Sequence, residues 1–219
     1  MMEVKGNTEM VTKEIKVSSF VRLHLLSPGT IELVQGDEEK VMIETDRNLI
    51  RYFEVVNSGR TLYVSSEAML TRPLFTTCRV KVFLRTVNAI DLSHEDATLI
   101  CREGIASPFP ISLKVRGAHG VSLSVSSPSV SLLHQASGKV TLSGKCGQAV
   151  INVQGEGNLD AAALKADEVQ LRHLSGAEVK VHADRLIEIN QLGDGPIFYS
   201  GPGVLRDISI RGEGFVRHV

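Results

Sequence analysis

Tryptophan is absent from this chain, and aromatic residues of all kinds make up only 5% of it. Hydrophobic residues still amount to 42%, so a sizeable core is available, and Val, Leu, Ile and Ala have to build it. The 219 residues suffice for one large domain or two small ones. No block of basic charge is present: Lys and Arg are scattered and the formal net charge is −1. A nucleic-acid footprint needs a basic stripe that displaces counterions, so that class is excluded. No apolar run approaches the roughly 18 residues of a membrane-crossing helix. Met1 to Thr12 is polar and lacks the apolar stretch of a secretory leader. The expectation is either a cytosolic protein or one whose leader has been removed, and the doubled Met1-Met2 fits the second. Cysteine is scarce as well. Cys78, Cys101 and Cys146 lie far apart without metal-ligand spacing, and the odd number leaves at least one thiol unpaired within the chain. They read as small core residues.

Glycine, by contrast, is abundant and unevenly placed: 14 of the 19 lie from Gly117 onward. They recur in short segments beginning at Gly117, Ala136, Gly155, Ser175, Gly193 and Gly212, with steps of 18 to 20 residues. The fifth residue of each segment is aliphatic: Val121, Val140, Leu159, Val179, Ile197 and Val216. A second aliphatic pair with strand spacing follows each time: Val130/Leu132, Ile151/Val153, Val169/Leu171, Ile187/Ile189 and Ile208/Ile210. Small residues such as Ser143-Gly144, Ala162-Ala163 and Ser200-Gly201 lie between the two groups, where a tight corner is needed. About 19 extended residues have a contour of roughly 60 Å, enough for one coil with two or three short sides. One coil cannot bury its own apolar face, so coils must stack. The pattern therefore predicts an all-β fold, a β-solenoid with coils of about 19 residues, regular over 117–219. The leucine-rich alternative is of similar length, but its Leu-x-x-Leu-x-Leu-x-x-Asn ladder is missing.

Residues 10–100 are strand-rich but less periodic. Ile15-Lys16-Val17, Val21 to Leu25, Val41-Met42-Ile43 and Val80 to Leu84 alternate, and Asn57-Ser58-Gly59 reads as a hairpin loop. Asp46 to Ile50 could hold a short helical turn. Ser107-Pro108-Phe109-Pro110 bounds a coil rather than separating domains, so residues 1–219 are read as one β-helical domain.

Gly29-Thr30-Ile31-Glu32-Leu33-Val34-Gln35-Gly36-Asp37 runs on into Val41-Met42-Ile43 and Asp46 to Ile50. Together with Gly59-Arg60-Thr61-Leu62-Tyr63-Val64 and the Gly-x-Gly turns, this resembles the putative auto-transporter adhesin family with a head GIN domain, common in Bacteroidetes. The resemblance covers roughly residues 10–219. It implies a right-handed parallel β-helix and an exported or secreted protein of the cell envelope. The chain departs from the family at Ser93 to Ala97, where another Gly-rich turn is favoured, and at Ser175, where Gly-x-Gly is lost. Fold-level analogy does not by itself establish function.

Four groups of residues are candidates for chemistry. Asp91, His94, Glu95 and Asp96 form the densest polar cluster and read as a solvated turn rather than a metal or acid–base site. Glu156, Asp194 and Glu213 share one repeat position, so Asp194 and Glu213 would lie roughly 5 Å apart on adjacent coils and could share a cation such as Ca²⁺. Phe198-Tyr199 could form a sugar-stacking platform, against the plainer reading of one ring in the core and one on the surface. His119, His134, His173 and His182 are expected to face solvent. The Asp-Asp and Asn-Thr-Asp strings of β-helical polysaccharide lyases and hydrolases do not occur, and no nucleophilic set can be assigned by spacing. The expectation is a non-catalytic envelope module without a cofactor, contacting a surface polysaccharide or envelope protein. The runner-up is a structural module that assembles as a homo-oligomer through its open coil ends.

Overall fold

The structure is a computed structural model that describes residues 2–66 and 71–219; Met1 of the doubled start lies outside them. The chain opens with β1 (Met2–Lys5), β2 (Met10–Lys16), β3 (Arg22–Leu26), β4 (Gly29–Gln35) and β5 (Lys40–Asp46). A single 3₁₀ turn at Ile50–Tyr52 follows, just beyond the helical turn anticipated at Asp46 to Ile50. Then come β6 (Glu54–Ser58), β7 (Thr61–Ser65), β8 (Thr71–Leu74) and β9 (Cys78–Leu84). Strands β6 and β7 form the expected hairpin, with Ser58 opposite Thr61 and Gly59 at φ 58°. From β10 (Ala89–Leu92) and β11 (Ala97–Ile100), through β12 (Ile105–Ala106) and β13 (Ile111–Val115), the chain winds as a parallel solenoid. Its regular coils are β14 (Gly120–His134), β15 (Lys139–Val153), β16 (Leu159–His173) and β17 (Val179–Gln191). It ends with β18 (Ile197–Ser200), β19 (Val204–Ile210) and β20 (Val216–His218).

Each regular coil has a first face, a short side and a second face. The six aliphatics predicted from the glycine spacing align residue to residue as one inward column on the first face. The column continues toward the N-terminus through Leu99, Ile31, Val80 and Ile43. All of its members except Val216 are buried. At about 1.5–3 kcal/mol for each fully buried aliphatic side chain, such columns are the main stabilising element of the fold.

The second face corrects the anticipated pairing. Its inward positions are three columns, not two: Val130–Ala149–Val169–Ile187–Leu205, Leu132–Ile151–Leu171–Ile189–Ile208, and His134–Val153–His173–Gln191–Ile210. Ile151/Val153 and Ile208/Ile210 therefore sit one inward position later than the other pairs. His134, His173 and His182 are buried, contrary to the solvent-facing placement expected for them, while His119 is exposed. The Nε2–H of His134 donates to the Gly157 carbonyl at 2.7 Å, and its Nδ1 accepts from the Ala136 N–H at 3.3 Å. An imidazole with both nitrogens satisfied can stay inside as the neutral form. Burial lowers the pKa of both His134 and His173.

The Gly-x-Gly turns are required by close stacking rather than by unusual dihedrals. Gly157 and Gly195 lack positive φ, yet a Cβ on either would fall far inside contact distance of a carbonyl oxygen on the preceding coil, that of Gly138 or Ala177. The three cysteines are free and buried, and burial pushes the Cys78 and Cys146 thiols up to about 11.

Chain order and stacking order diverge in the N-terminal part. The coil made of β3 and β4 lies between the one carrying β7 and β9 and the one carrying β10 and β11. Antiparallel strands close this end: β6 on the second face, and β5 followed by β2 on the first. The Asp46 carboxylate lies within that closure. It accepts from the Thr8 N–H at 2.9 Å, the Thr76 N–H at 2.9 Å and the Thr76 hydroxyl at 2.6 Å. Burial raises its pKa, but these bonds outweigh that and hold it below the usual carboxylate value.

Candidate functional site

The short side carries a recess. Register places Ala106, Ser126, Lys145 and Lys165 in one outward row, one residue per coil. Beneath them Ile105, Val125 and Leu164 point inward and are buried, while Gly144 interrupts that row with φ 105° and no side chain. The glycine is needed because a Cβ there would run into the Val125 carbonyl, and at this tight corner a cleft of about 550 Å³ runs from Gln35 to Lys165. Gln35 closes one end. Its amide donates to the carbonyls of Arg85 at 2.9 Å and Ala106 at 2.7 Å, and accepts from the Ala106 N–H at 2.8 Å. The side chain thus substitutes for a neighbouring strand beside β12, keeping the floor of the cleft satisfied without filling it.

The charges on the rim are separated along the axis. Glu103 stands toward the Gln35 end, and Lys145 and Lys165 stand toward the other. Among the described residues, no ion pair involves any of the three. Beyond Lys165 the row ends in a polar cluster. The His182 Nε2 is 2.9 Å from Asp184 Oδ1, and its Nδ1 is 3.0 Å from Ser200 Oγ. The Lys165 ammonium lies 3.3 Å from Nδ1 and 3.4 Å from Nε2. A carboxylate only accepts, so Nε2 carries the proton and Nδ1 is the acceptor. The order Asp184–His182–Ser200 is that of a proton relay. However, the nitrogen that would have to take the serine proton already faces a lysine ammonium, so the ring serves as a fixed polar link rather than a free base.

The anticipated residues lie elsewhere. Asp194 and Glu213 are exposed on adjacent coils, and Asp194 Oδ1 accepts the Glu213 N–H at 2.8 Å. Glu156 is a further coil away, with Gly176 between it and Asp194. No group of three His, Cys, Asp or Glu side chains suited to a metal ion occurs among the described residues. Phe198 and Tyr199 point to opposite sides of β18. Tyr199 packs against the core, while Phe198 meets Phe215 edge-on, with centroids 5.7 Å apart, and the Lys180 ammonium 5.9 Å away. Asp91 departs from the solvated-turn reading. It is buried on β10 and held by Arg116 at 3.0 Å, His24 at 3.4 Å and the Ser93 hydroxyl at 3.0 Å, whereas Glu95 and Asp96 are exposed in the turn. The cleft itself was missed in the sequence. Ser126, Lys145 and Lys165 recur at 19 and 20 residues, the period of the glycine turns, and folding the sequence at that period would have aligned them.

The family model described as "Putative auto-transporter adhesin, head GIN domain" matches residues 19–203. No curated protein matches the chain. Among solved structures, a putative adhesin from Bacteroides fragilis is similar with a TM-score of 0.91 at 19% identity, covering 99% of this chain and 100% of that one. A putative lipid binding protein from Parabacteroides distasonis has a TM-score of 0.69 at 21% identity, covering 99% of each chain. A putative adhesin from the same species has a TM-score of 0.65 at 19% identity, covering 99% of this chain and 100% of that one. At these identities the structures speak for the fold, whereas the family model spans most of the chain: this protein belongs to the putative auto-transporter adhesin family with a head GIN domain.

Proposed function

We propose that this protein is a non-catalytic binding module of the cell envelope that holds an extended surface polysaccharide in the cleft of its short side. The observation that carries the reading is the cleft: an open recess of about 550 Å³ on a parallel scaffold, with a largely apolar lining and rim charges Glu103, Lys145 and Lys165 that make no internal ion pair among the described residues. Preorganised polar groups on regular strands bind with little ordering cost. The envelope location rests on membership of an adhesin family. The test is a glycan array probed with the wild-type chain and with Ser126→Trp, which places an indole in the cleft from an outward position. Binding to a polysaccharide that the variant loses, with an unchanged melting temperature, is the expected result. Wild-type silence on the array, or a Ser126→Trp variant that binds as well as the wild type, would refute it.

A second reading, an assembly scaffold, is favoured by one observation. The last members of two inward columns, Ile208 and Ile210, are 41% and 45% exposed, and Val204 beside them is 67% exposed.

A further inference from the structure

We infer that the basic half of the cleft, Lys145 and Lys165 backed by His182, receives the carboxylate or sulfate groups of an acidic polysaccharide. The inference rests on the cleft reading above and names the chemical class of its ligand. Register sets Lys145 and Lys165 side by side on successive coils, so the backbone positions of two cations follow one another along the solenoid axis at about the 4.8 Å strand spacing. Neither meets a carboxylate within ion-pair distance among the described residues. Lys81, Lys139 and Lys180 do pair, with Glu32, Asp160 and Glu178, whereas Lys114, like the two cleft lysines, makes no ion pair among the described residues and serves as the control below.

Lys165 is further constrained. Its ammonium lies against both ring nitrogens of His182, a side chain 10% exposed that Asp184 and Ser200 fix in place. Gly201, at φ 97°, allows this ring position, since a Cβ there would meet the ring at 2.8 Å. A long, entropic lysine is thereby aimed at the end of the cleft, where a ligand oxygen would complete its coordination. Charge-assisted bonds of this kind are shorter and stronger than neutral ones. Glu103 at the opposite end repels the same anionic groups, so a chain of repeating acidic units would enter with its charges at the Lys165 end and its neutral hydroxyls toward Glu103 and Gln35. The same field disfavours a flat anionic membrane, which would meet Glu103 together with the lysines.

The test is affinity electrophoresis of the full chain through gels containing polygalacturonate (carboxylate), dextran sulfate (sulfate) or neutral dextran. The variants are Lys145→Gln with Lys165→Gln, Ser126→Trp as the cleft block, and Lys114→Gln as an exposed lysine on the second face. Retardation by at least one acidic polymer is expected. It should weaken roughly tenfold or more in the double variant, as a charge-assisted bond is lost per lysine, and be unchanged in Lys114→Gln. Both altered lysines are exposed, so their melting temperatures should match the wild type. Acidic-polymer binding that survives the double variant would overturn the inference. So would preferential retardation by neutral dextran; if Ser126→Trp abolishes that binding, the cleft reading stands while the ligand class falls. Binding to phosphatidylglycerol vesicles with no retardation by any polymer would overturn both.

Discussion

A buried histidine is the residue whose behaviour follows most directly from its position. His134 occupies an inward column, fully enclosed, and donates to the Gly157 carbonyl in the next coil. Burial lowers its pKa below the ordinary 6.5, as it does that of His173. Above pH 6.5 folded and unfolded states are both neutral at these sites. Below it the unfolded chain takes up protons that the folded chain refuses, so stability falls as pH falls, by at most about 1.4 kcal/mol per pH unit for each histidine. Asp46 acts in a lower window, since its stabilisation is lost only as pH falls below 3.8 toward its lowered folded value. Gln191 fills the same column two coils beyond His173's neighbour Val153 and donates from its amide to the Gly195 carbonyl at 2.7 Å, so a neutral amide is compatible with this environment. His134→Gln should therefore flatten the decline in melting temperature between pH 7.5 and pH 5. His134→Ala should cost about 1–3 kcal/mol at pH 7.5 by leaving a buried carbonyl without its donor. Thermal denaturation across that range measures both, and an unaltered slope in His134→Gln would show that other groups set the acid response.

Among whole strands, legibility depended on whether a feature recurs at the coil period. The first-face column could be read because each aliphatic stands at a fixed distance from its glycine turn, and that turn cannot change length without breaking the close backbone stacking at Gly157 and Gly195. The second face was harder. Irregularities between Ala161 and Glu168 at the corner, and between Ile187 and Glu188 within the face itself, slide its register, and histidines and a glutamine occupy its third column. Periodicity argued from hydrophobicity alone cannot assign such polar members inward. The cleft lysines do recur at the period, but scattered lysines read as solvated surface until the corner is seen to hold a recess beside them. Ser200 lies one coil step from its register partner His182, and Asp184 two residues along β17, but a histidine read as facing solvent gave no reason to join the three. The C-terminal strands yield a prediction at this scale. Ile189 is buried at 3% exposure, and Ile208, its partner one coil on, is 41% exposed because no strand among the described residues stacks beyond it. Ile189→Ala should cost about 2–5 kcal/mol as a core deletion, whereas Ile208→Lys should change stability little. If the uncovered end mediates assembly, sedimentation of the wild type will show a concentration-dependent oligomer that Ile208→Lys converts to monomer. A wild type that stays monomeric at high concentration removes the scaffold reading.

Over the whole molecule, the two ends of the solenoid are built differently, and this sets a gradient of local stability. Each coil meets only its neighbours, so opening free energy is approximately a sum of nearest-neighbour terms. At the N-terminal end the β3–β4 coil is flanked on both sides, because the chain returns past it at β10 and β11, and antiparallel β5 and β6 close the stack. Releasing that coil requires breaking contacts between segments far apart in sequence. At the other end, among the described residues, β20 pairs only with β18, and β19 only with β17 across a register shift, with partly exposed inward residues in both. Native-state hydrogen exchange should accordingly show the least protection in β19 and β20, more in β18, and close to the global value in β3, β4, β14 and β15. The gradient bears on function. The cleft from Gln35 to Lys145 is built on the protected coils and is already formed before a ligand arrives, whereas Ser200 lies next to the fraying end. An acidic ligand that ties Lys165 to the cleft should then slow exchange at the β17 and β18 amides more than at those of β14. Equal protection along the whole solenoid would mean that it opens as one cooperative unit, and the end-to-end asymmetry in packing would have no energetic counterpart.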